Sequence, residues 1–299
     1  MKLRKKQKYL PALIILLSAM IAFISGCKPP GALTSETIMD ISYGSHRENT
    51  VDVSLPAGRN GDTPVIILIH GGAWTGGDKS DFAYLRGYFS RKGFAAFSVN
   101  YRLARVEGTG LRNILEDMDY AVDFIKGKSG LWTFSQKAVF LAGHSAGGHI
   151  ALLYSFSRIM EGSIRGVVSY CGFADLTDPE LETFLYRMDE NENRILNKKE
   201  NGYNPSKKPF DRIGFVAGRD RSSRVAYSPQ IFIGNVPVLL FCGKMDEIIP
   251  WRQSETLHNK MKEQGFDSTL YVYPDMGHDI SPHYGEIMKI TERWLRERI

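Results

Sequence analysis

Short apolar runs alternate with longer amphipathic stretches along most of the chain. The apolar runs predict strands over residues 37–43, 50–55, 65–69, 95–100, 138–142, 167–170, 238–241 and 269–273. Apolar positions three and four apart predict helices over residues 111–126, 146–156, 251–264 and 283–298. This alternation predicts an α/β fold, a mostly parallel twisted sheet with helices on both faces that begins with an antiparallel pair of strands.

One long segment interrupts the alternation. Residues 176–229 contain no predicted strand and are rich in polar and charged side chains. A connection of this length inside a compact domain is usually functional, so we interpret it as a cap inserted into a catalytic domain of residues 37–299. Its charge runs are expected to face solvent, with binding of an acidic substrate group by Arg219, Arg221 and Arg224 as an alternative.

The first 26 residues have the pattern of a targeting segment. A cationic head precedes an apolar run over residues 10–24, and small residues lead to Cys27. Ile24-Ser25-Gly26-Cys27 resembles the lipobox of bacterial lipoproteins. That resemblance implies that residues 1–26 are removed, that Cys27 carries lipid, and that residues 27–36 tether the enzyme to the extracytoplasmic side of the cell membrane. An ordinary signal peptide or a short membrane anchor is the alternative.

Charge and cysteine content exclude several other classes of protein. Five of the 38 lysines and arginines lie within residues 1–26, which contain no acid, and the rest of the chain is neutral, so nucleic-acid binding is not indicated. Cys171 and Cys242 each follow an apolar run, which favours buried free thiols, with a disulfide between them as the alternative. No cysteine or histidine spacing indicates a metal site. We therefore expect neither a metal nor an organic cofactor, and the oligomeric state stays open.

The strongest chemical motif is Gly143-His144-Ser145-Ala146-Gly147. It matches the nucleophile elbow G-x-S-x-G, in which a serine on a sharp turn between a strand and a helix needs very small neighbours. A predicted strand precedes it and a predicted helix follows it. Ser145 is therefore the candidate nucleophile, and the backbone N–H of Ala146 is a candidate oxyanion donor at a helix N-terminus.

A second motif, His70-Gly71-Gly72-Ala73-Trp74, follows the predicted strand over residues 65–69. Glycines let the backbone approach a substrate and direct N–H groups toward it. We expect Gly72 and Ala73, with Gly71 as a further candidate, to complete the oxyanion hole with Ala146. The ring of Trp74 is expected to contact substrate on the acyl side.

Asp246 and His278 are the candidate acid and base. Each follows the end of a predicted strand, and the order Ser145, Asp246, His278 is the one that α/β-hydrolases use. Ser145 would attack a carbonyl carbon, His278 would accept the serine proton, and Asp246 would orient the imidazole.

Other polar residues near these motifs stay open as alternatives. His283 is a second candidate base, and Glu247, Asp275 and Asp279 are alternative acids. Asp175 either contacts substrate or caps a turn. His144 and His149 lie too close to Ser145 along the chain to reach its hydroxyl, so we interpret them as structural, with His144 also a candidate for contacting substrate. His70 is expected to brace its own loop.

These motifs together resemble the bacterial esterase/lipase family of α/β-hydrolases that carry an H-G-G-x-W oxyanion loop. Kynurenine formamidases and feruloyl or acetyl-xylan esterase-like enzymes share this pattern. Further similar segments are Gly77-Asp78-Lys79, Val99-Asn100-Tyr101-Arg102-Leu103, Glu116-Asp117 and Ser228-Pro229. The similarity covers roughly residues 40–299 and implies the α/β-hydrolase fold with Ser145, Asp246 and His278 as the triad. Ala73 stands where the related H-G-G-G loop has a third glycine.

The sequence therefore predicts a serine hydrolase that cleaves small carboxylic esters through an acyl-enzyme. An amidase, formamidase or serine peptidase would use the same triad, because the triad serves acyl transfer in general. A surface lipoprotein that keeps the fold only for binding is the alternative outside enzymes, and the intact triad and oxyanion loop argue against it. The polar character of residues 176–229 favours short acyl or compact aryl groups over long-chain lipids.

Overall fold

The computed structural model describes residues 33–105, 108–157, 164–181 and 212–299. Within it, Ser35–Ile299 form one compact unit. The predicted signal peptide, Cys27 and residues 182–211 of the predicted cap lie outside the described residues. None of the described helices combines the length and the apolar character that crossing a bilayer requires.

An eight-stranded sheet forms the centre of this unit. Its strands are β1 (Glu36–Ser42), β2 (Thr50–Leu55), β3 (Val65–Ile69), β4 (Ala95–Val99), β5 (Val139–His144), β6 (Ile164–Tyr170), β7 (Val238–Gly243) and β8 (Ser268–Tyr273). They are arranged in the order β1-β2-β4-β3-β5-β6-β7-β8. β2 pairs antiparallel with β1 and β4, and all other neighbours are parallel. The predicted mostly parallel sheet with an antiparallel opening pair is confirmed.

Helices connect most of the strands. The described helices are α1 (Ala83–Arg91), α2 (Leu111–Gly127), α3 (Ser129–Trp132), α4 (Ala146–Ser157), α5 (Arg212–Ala217), α6 (Arg221–Ala226), α7 (Arg252–Glu263) and α8 (Tyr284–Arg296). The four predicted helices correspond to α2, α4, α7 and α8 within two residues at each end. The sequence analysis did not predict α1, and it left the region of α5 and α6 without assigned structure.

The sheet is covered by helices on both faces. Ile67 of β3 belongs to one apolar cluster with Ile114 of α2, whereas its neighbour Ile66 belongs to a second cluster with Leu85 of α1 and Leu295 of α8. Successive residues of a strand point to opposite faces, so both faces of β3 must be apolar when helices cover both. This burial explains why the parallel strands are continuous apolar runs rather than alternating ones.

A buried ion cluster joins the antiparallel strands to the rest of the unit. The carboxylate of Asp52, on β2, is fully buried and lies 2.9 Å from Lys79 Nζ and 3.2 Å from Arg86 Nη1. Arg86 also donates to Ser98 Oγ on β4 at 2.6 Å. A buried charge destabilises a protein strongly unless it is paired, and here two cations from outside β2 are within pairing distance of it. The cluster therefore fixes β2 against α1 and against the segment that follows β3.

The parallel part of the sheet determines where the functional residues meet. β3, β5, β6, β7 and β8 are adjacent and parallel, so the segments that leave their carboxyl ends emerge at one edge. In open α/β sheets, ligands bind at this edge. The H-G-G-x-W loop, Ser145, Asp246 and His278 follow β3, β5, β7 and β8, respectively.

Candidate active site

Ser145 lies on a tight turn between β5 and α4. Its backbone is left-handed, with φ of +57°, a conformation that costs a residue with a side chain roughly 1–2 kcal/mol. A Cβ atom added to Gly147 would lie 2.0 Å from the carbonyl oxygen of Ile69, and one added to Gly143 would lie 2.3 Å from the backbone of Gly147. Only glycine fits at these two positions. The structure therefore gives Ser145 the geometry that the G-x-S-x-G motif predicts.

The predicted oxyanion loop packs directly against Ser145. A Cβ atom added to Gly71 would lie 3.3 Å from Cβ of Ser145. The loop then turns sharply, with φ of +104° at Gly72 and +50° at Ala73, and the carbonyl of Gly72 accepts from the N–H of Gly76 at 2.8 Å. Ala146, the fourth predicted donor, is the first residue of α4, where amides have no acceptor within their own helix.

His70 braces this loop, as the sequence analysis interpreted it. Its ring stacks on Tyr101 at 4.4 Å between centroids, and Nδ1 donates to the carbonyl oxygen of Gly71 at 2.8 Å. The Tyr101 hydroxyl donates in turn to the carbonyl oxygen of His70 at 3.0 Å. Burial lowers the pKa of His70, so the ring is neutral at neutral pH. These contacts fix the strand end from which the oxyanion loop starts.

The segment after β4 is itself held by hydrogen bonds on both sides. The backbone N–H of Lys79 donates to Asn100 Oδ1 at 2.6 Å. The backbone N–H of Arg102 donates to the buried carboxylate of Asp117 at 2.7 Å, and its guanidinium pairs with the same group at 2.9 Å. Asn100 and Tyr101 therefore tie the segment after β4 to the segment after β3, and Arg102 ties it to α2.

Asp246 and His278, the candidate acid and base, are hydrogen-bonded to each other. His278 Nδ1 lies 2.9 Å from Asp246 Oδ2, and the other carboxylate oxygen accepts from the backbone N–H groups of Ile248 and Ile249, each at 2.8 Å. A carboxylate can only accept, so Nδ1 carries the hydrogen and Nε2 keeps its lone pair. His278 is therefore held in the tautomer that can accept a proton from a nucleophile.

His144 connects the nucleophile turn to the loop that carries His278. Its Nε2 donates to the backbone carbonyl oxygen of His278 at 2.9 Å, and the two rings lie 4.8 Å apart between centroids. Burial, followed by the charge of His278, lowers the pKa of His144, which keeps its ring neutral. The sequence analysis considered His144 as a structural residue or a substrate contact. It missed the bond to His278, because no sequence signal joins two residues so far apart along the chain.

The alternative acids and bases have other partners. His283 Nε2 pairs with Asp275 at 3.0 Å and its ring packs on Tyr273. Asp279 accepts from the backbone and hydroxyl of Ser281, and Asp175 accepts from the backbone and hydroxyl of Thr177. Glu247 is exposed. Asp175 and Asp279 thus cap turns. The pair of His283 and Asp275 differs from that of His278 and Asp246 because the Asp275 side chain is 70% exposed, whereas that of Asp246 is buried.

Trp74 differs from its expected position. The indole ring is fully buried, lies 4.8 Å from the ring of Phe173, and donates through Nε1 to His149 Nδ1 at 3.3 Å. His149 Nε2 donates to the carbonyl oxygen of Tyr227 at 2.8 Å, and burial lowers the pKa of His149 to about 4. The prediction that the Trp74 ring contacts substrate is therefore wrong. The ring packs in the core behind the oxyanion loop, where its N–H has an acceptor.

Cys171 and Cys242 are both buried and free. Cys171 follows β6 with a left-handed φ of +49°, and its backbone N–H donates to the carbonyl of Phe241 at 2.8 Å. Burial raises the pKa of the Cys171 thiol well above its ordinary value, so it is protonated at neutral pH. The favoured reading of both residues as buried thiols agrees with the structure.

Comparison with known proteins identifies a family and several curated relatives. A family model described as BD-FAE matches residues 51–261. A kynurenine formamidase of Danio rerio is 29% identical over 171 residues, 55% of this chain and 55% of the relative. An isoprenylcysteine alpha-carbonyl methylesterase of Arabidopsis thaliana is 23% identical over 257 residues, 80% of this chain and 55% of the relative. The chain therefore spans about half the length of these curated relatives.

Solved structures share the fold at lower sequence identity. Esterase B from Lactobacillus rhamnosis superposes with a TM-score of 0.68 at 19% identity, covering 96% of this chain and 94% of its own. A truncated carbohydrate esterase from gut microbiota superposes with a TM-score of 0.70 at 18% identity, covering 88% of this chain and 96% of its own. At such identity, these likenesses concern the fold alone.

Proposed function

Because the chain belongs to the BD-FAE family and has the α/β-hydrolase fold, we propose that it is a serine hydrolase that cleaves carboxylic esters of small acyl or aryl groups. One observation carries the proposal. The 2.9 Å hydrogen bond between His278 and Asp246 fixes the base in its proton-accepting tautomer, at the sheet edge where Ser145 occupies a strained turn. A binding protein would need neither feature.

The residues divide the reaction into two acyl-transfer steps. Ser145 Oγ attacks the ester carbonyl carbon while His278 Nε2 takes the serine proton, and Asp246 stabilises the imidazolium. The negative charge on the carbonyl oxygen is stabilised by backbone N–H groups of the Gly71–Ala73 loop and of Ala146. His278 then gives its proton to the leaving alcohol. Water, activated by the same imidazole, releases the acid from the acyl-enzyme.

Formamide hydrolysis is the second candidate. The kynurenine formamidase among the relatives is 29% identical, the higher of the two curated identities given above. The same triad would attack a formyl carbonyl as well as an ester carbonyl, since only the leaving group differs. Substrate tests therefore have to include both bond types.

We also propose that the enzyme is held at the extracytoplasmic side of the cell membrane by lipid on Cys27. This rests on the sequence, namely the cationic head, the apolar run over residues 10–24 and the Ile24–Cys27 pattern. The anchor would position the enzyme at a membrane without making lipid its substrate.

A fluorophosphonate probe and a substrate panel test the activity. We expect the probe to label Ser145 stoichiometrically, with the modified peptide identified by mass spectrometry. We then expect hydrolysis of short p-nitrophenyl and aryl esters at rates well above those of formamides or peptides. Absence of labelling would contradict a serine hydrolase, and faster turnover of N-formyl aromatic amines would favour the formamidase.

A further inference from the structure

A third side chain meets the two histidines of the site. One ring nitrogen each of His144 and His278 and the Sγ of Cys171 all lie within 4.8 Å of one another. The residues come from the end of β5, the segment after β8 and the residue after β6, which the parallel sheet brings to one edge. They are far apart along the chain, so no sequence motif predicts that they lie together.

This set of atoms matches the ligand preference of zinc. Imidazole nitrogen binds Zn²⁺ at roughly 2.0–2.1 Å and thiolate sulfur at roughly 2.3 Å, which places tetrahedral ligand atoms about 3.5 Å apart. Side-chain rotation that closes the cluster by about 1 Å would therefore satisfy three positions of a tetrahedral site. Water, or the carboxylate of Asp246 that now bonds to His278, is available for the fourth position.

We propose that this cluster is an inhibitory zinc site, in which Zn²⁺ binds His144, Cys171 and His278 and withdraws His278 from the triad. On binding, a Zn–S bond replaces the S–H bond of Cys171, and the thiol proton passes to solvent, with no oxidation or reduction. The inhibitory part rests on the proposed hydrolase activity. The binding part does not.

Zinc would disable His278 through either nitrogen. An ion on Nε2 would occupy the lone pair that takes the proton of Ser145. An ion on Nδ1 would displace the hydrogen bond to Asp246 and force the hydrogen onto Nε2. Proton transfer from the nucleophile stops in both cases, so the loss of activity does not depend on which nitrogen coordinates.

Cys171 would be the inner ligand and the histidines the accessible ones. Cys171 is about 1% exposed, whereas His144 and His278 are each partly exposed. The thiol interacts with the carboxylate of Asp246 and with the backbone of Gly243, and Zn²⁺ would replace these contacts. The residue is held at φ of +49°, which glycine adopts without strain.

Metal binding can be measured without turnover, using Co²⁺ as a spectroscopic probe for Zn²⁺. The full chain carrying Ser145→Ala is titrated with Co²⁺, and we expect a thiolate-to-cobalt charge-transfer band in the near ultraviolet that added Zn²⁺ removes. Cys171→Ser in the same background should lose the band. Cys242→Ser should keep it, since that thiol is outside the cluster. No band, or a band that survives Cys171→Ser, would overturn the site.

Inhibition is measured on the active enzyme with p-nitrophenyl acetate. We expect Zn²⁺ to inhibit the wild type reversibly, with activity restored by EDTA. Cys171→Ser and Cys171→Gly, each compared with its own metal-free rate, should need at least about tenfold more Zn²⁺ for the same inhibition. Glycine adopts the left-handed backbone of residue 171 without strain, so Cys171→Gly is the variant that is expected to fold if Cys171→Ser does not. Equal sensitivity of these variants and the wild type would contradict the proposal.

The two sets of measurements separate the two proposals. A cobalt band that depends on Cys171 in a protein without esterase activity would uphold the metal site and contradict the proposed function. Esterase activity that Zn²⁺ leaves unchanged, in a protein with no cobalt band, would uphold the function and overturn the metal site.

Discussion

His144 Nε2 lies 2.9 Å from the backbone carbonyl oxygen of His278, so the residue before the proposed nucleophile holds the backbone of the proposed base. The bond joins the turn after β5 to the segment after β8 across two intervening strands. It fixes the distance between two groups that must exchange a proton. A short displacement between such groups lowers the rate, so we expect His144 to act as a positioning residue.

Replacing His144 tests this role. We expect His144→Leu, which cannot donate, to lower kcat by about two- to tenfold, the value of one hydrogen bond, with little change in KM. His144→Gln, whose amide can donate, should recover part of the loss. Steady-state kinetics on a short p-nitrophenyl ester measure both parameters. If the leucine and glutamine variants lose the same activity, or if only KM changes, His144 has a different role.

Ser145→Ala should abolish turnover while leaving the fold intact. In a studied triad, loss of the serine costs about 10⁶-fold in kcat. Ser157→Ala, at the exposed end of the same helix, is the matched control and should keep both activity and probe labelling. Circular dichroism and thermal melting of both variants check the fold. Appreciable turnover by Ser145→Ala would remove Ser145 from the role of nucleophile.

Asp246→Asn should slow turnover by about 10⁴-fold, because an amide no longer selects the Nδ1–H tautomer of His278. Asp275→Asn is the matched control, since Asp275 follows the next strand, pairs with His283 and has a side chain that is 70% exposed. It should change kcat far less. Kinetics that rank the two variants in the opposite order would move the acid to Asp275.

Acyl chain length is the sharpest test of substrate class. We expect kcat/KM for p-nitrophenyl esters to peak at short chains and to fall toward palmitate. Trp74, Phe173 and His149 fill the core behind the oxyanion loop, and residues 176–229 are polar, unlike an apolar lipase lid. A maximum at medium or long chains, or activation at an oil–water interface, would identify the segment as a lipase lid.

If Cys27 carries lipid, replacing it should change where the protein is located in the cell. Cys27→Ala should leave an uncleaved precursor or release the protein from membranes, because acyl chains on this residue would supply the anchor. Membrane fractionation of the two proteins and intact mass of the mature wild type measure this. A mature protein with an unmodified Cys27 would exclude the lipid anchor.

Much of the fold follows from the sequence because it depends on local patterns. The strand over residues 65–69 is an unbroken apolar run that helices bury on both faces, and the helix over 111–126 has one apolar stripe. α1 was missed because its buried face includes Arg86, which is buried only through its ion pair with Asp52. From sequence alone, a charged residue on a helix face predicts that this face is exposed. Its burial can be predicted only when its partner on another strand is known.

The site also has a part that local sequence patterns predict and a part that they do not. Ser145, Asp246 and His278 were placed from motifs and strand ends, because their chemistry requires those positions in an α/β sheet. The bond from His144 to His278 and the cluster with Cys171 could not be placed, since they depend on loops that meet only after the strands are ordered. The burial of Trp74 does not follow from local sequence either, because a tryptophan beside a catalytic loop packs inward or outward according to whether its N–H finds an acceptor.

The buried carboxylate of Asp52 has a consequence for how this chain can diverge. It pairs with Lys79 and Arg86, and Lys79 also pairs with Asp40, so loss of Asp52 leaves the buried Arg86 without its carboxylate and loss of Arg86 leaves Asp52 sharing Lys79 with Asp40. Single changes at these positions would be selected against, whereas coordinated replacement of the set by apolar residues would be tolerated. Among homologues that keep the oxyanion loop, positions 52, 79 and 86 should therefore covary, marking an evolutionary unit that spans a strand, a turn and a helix.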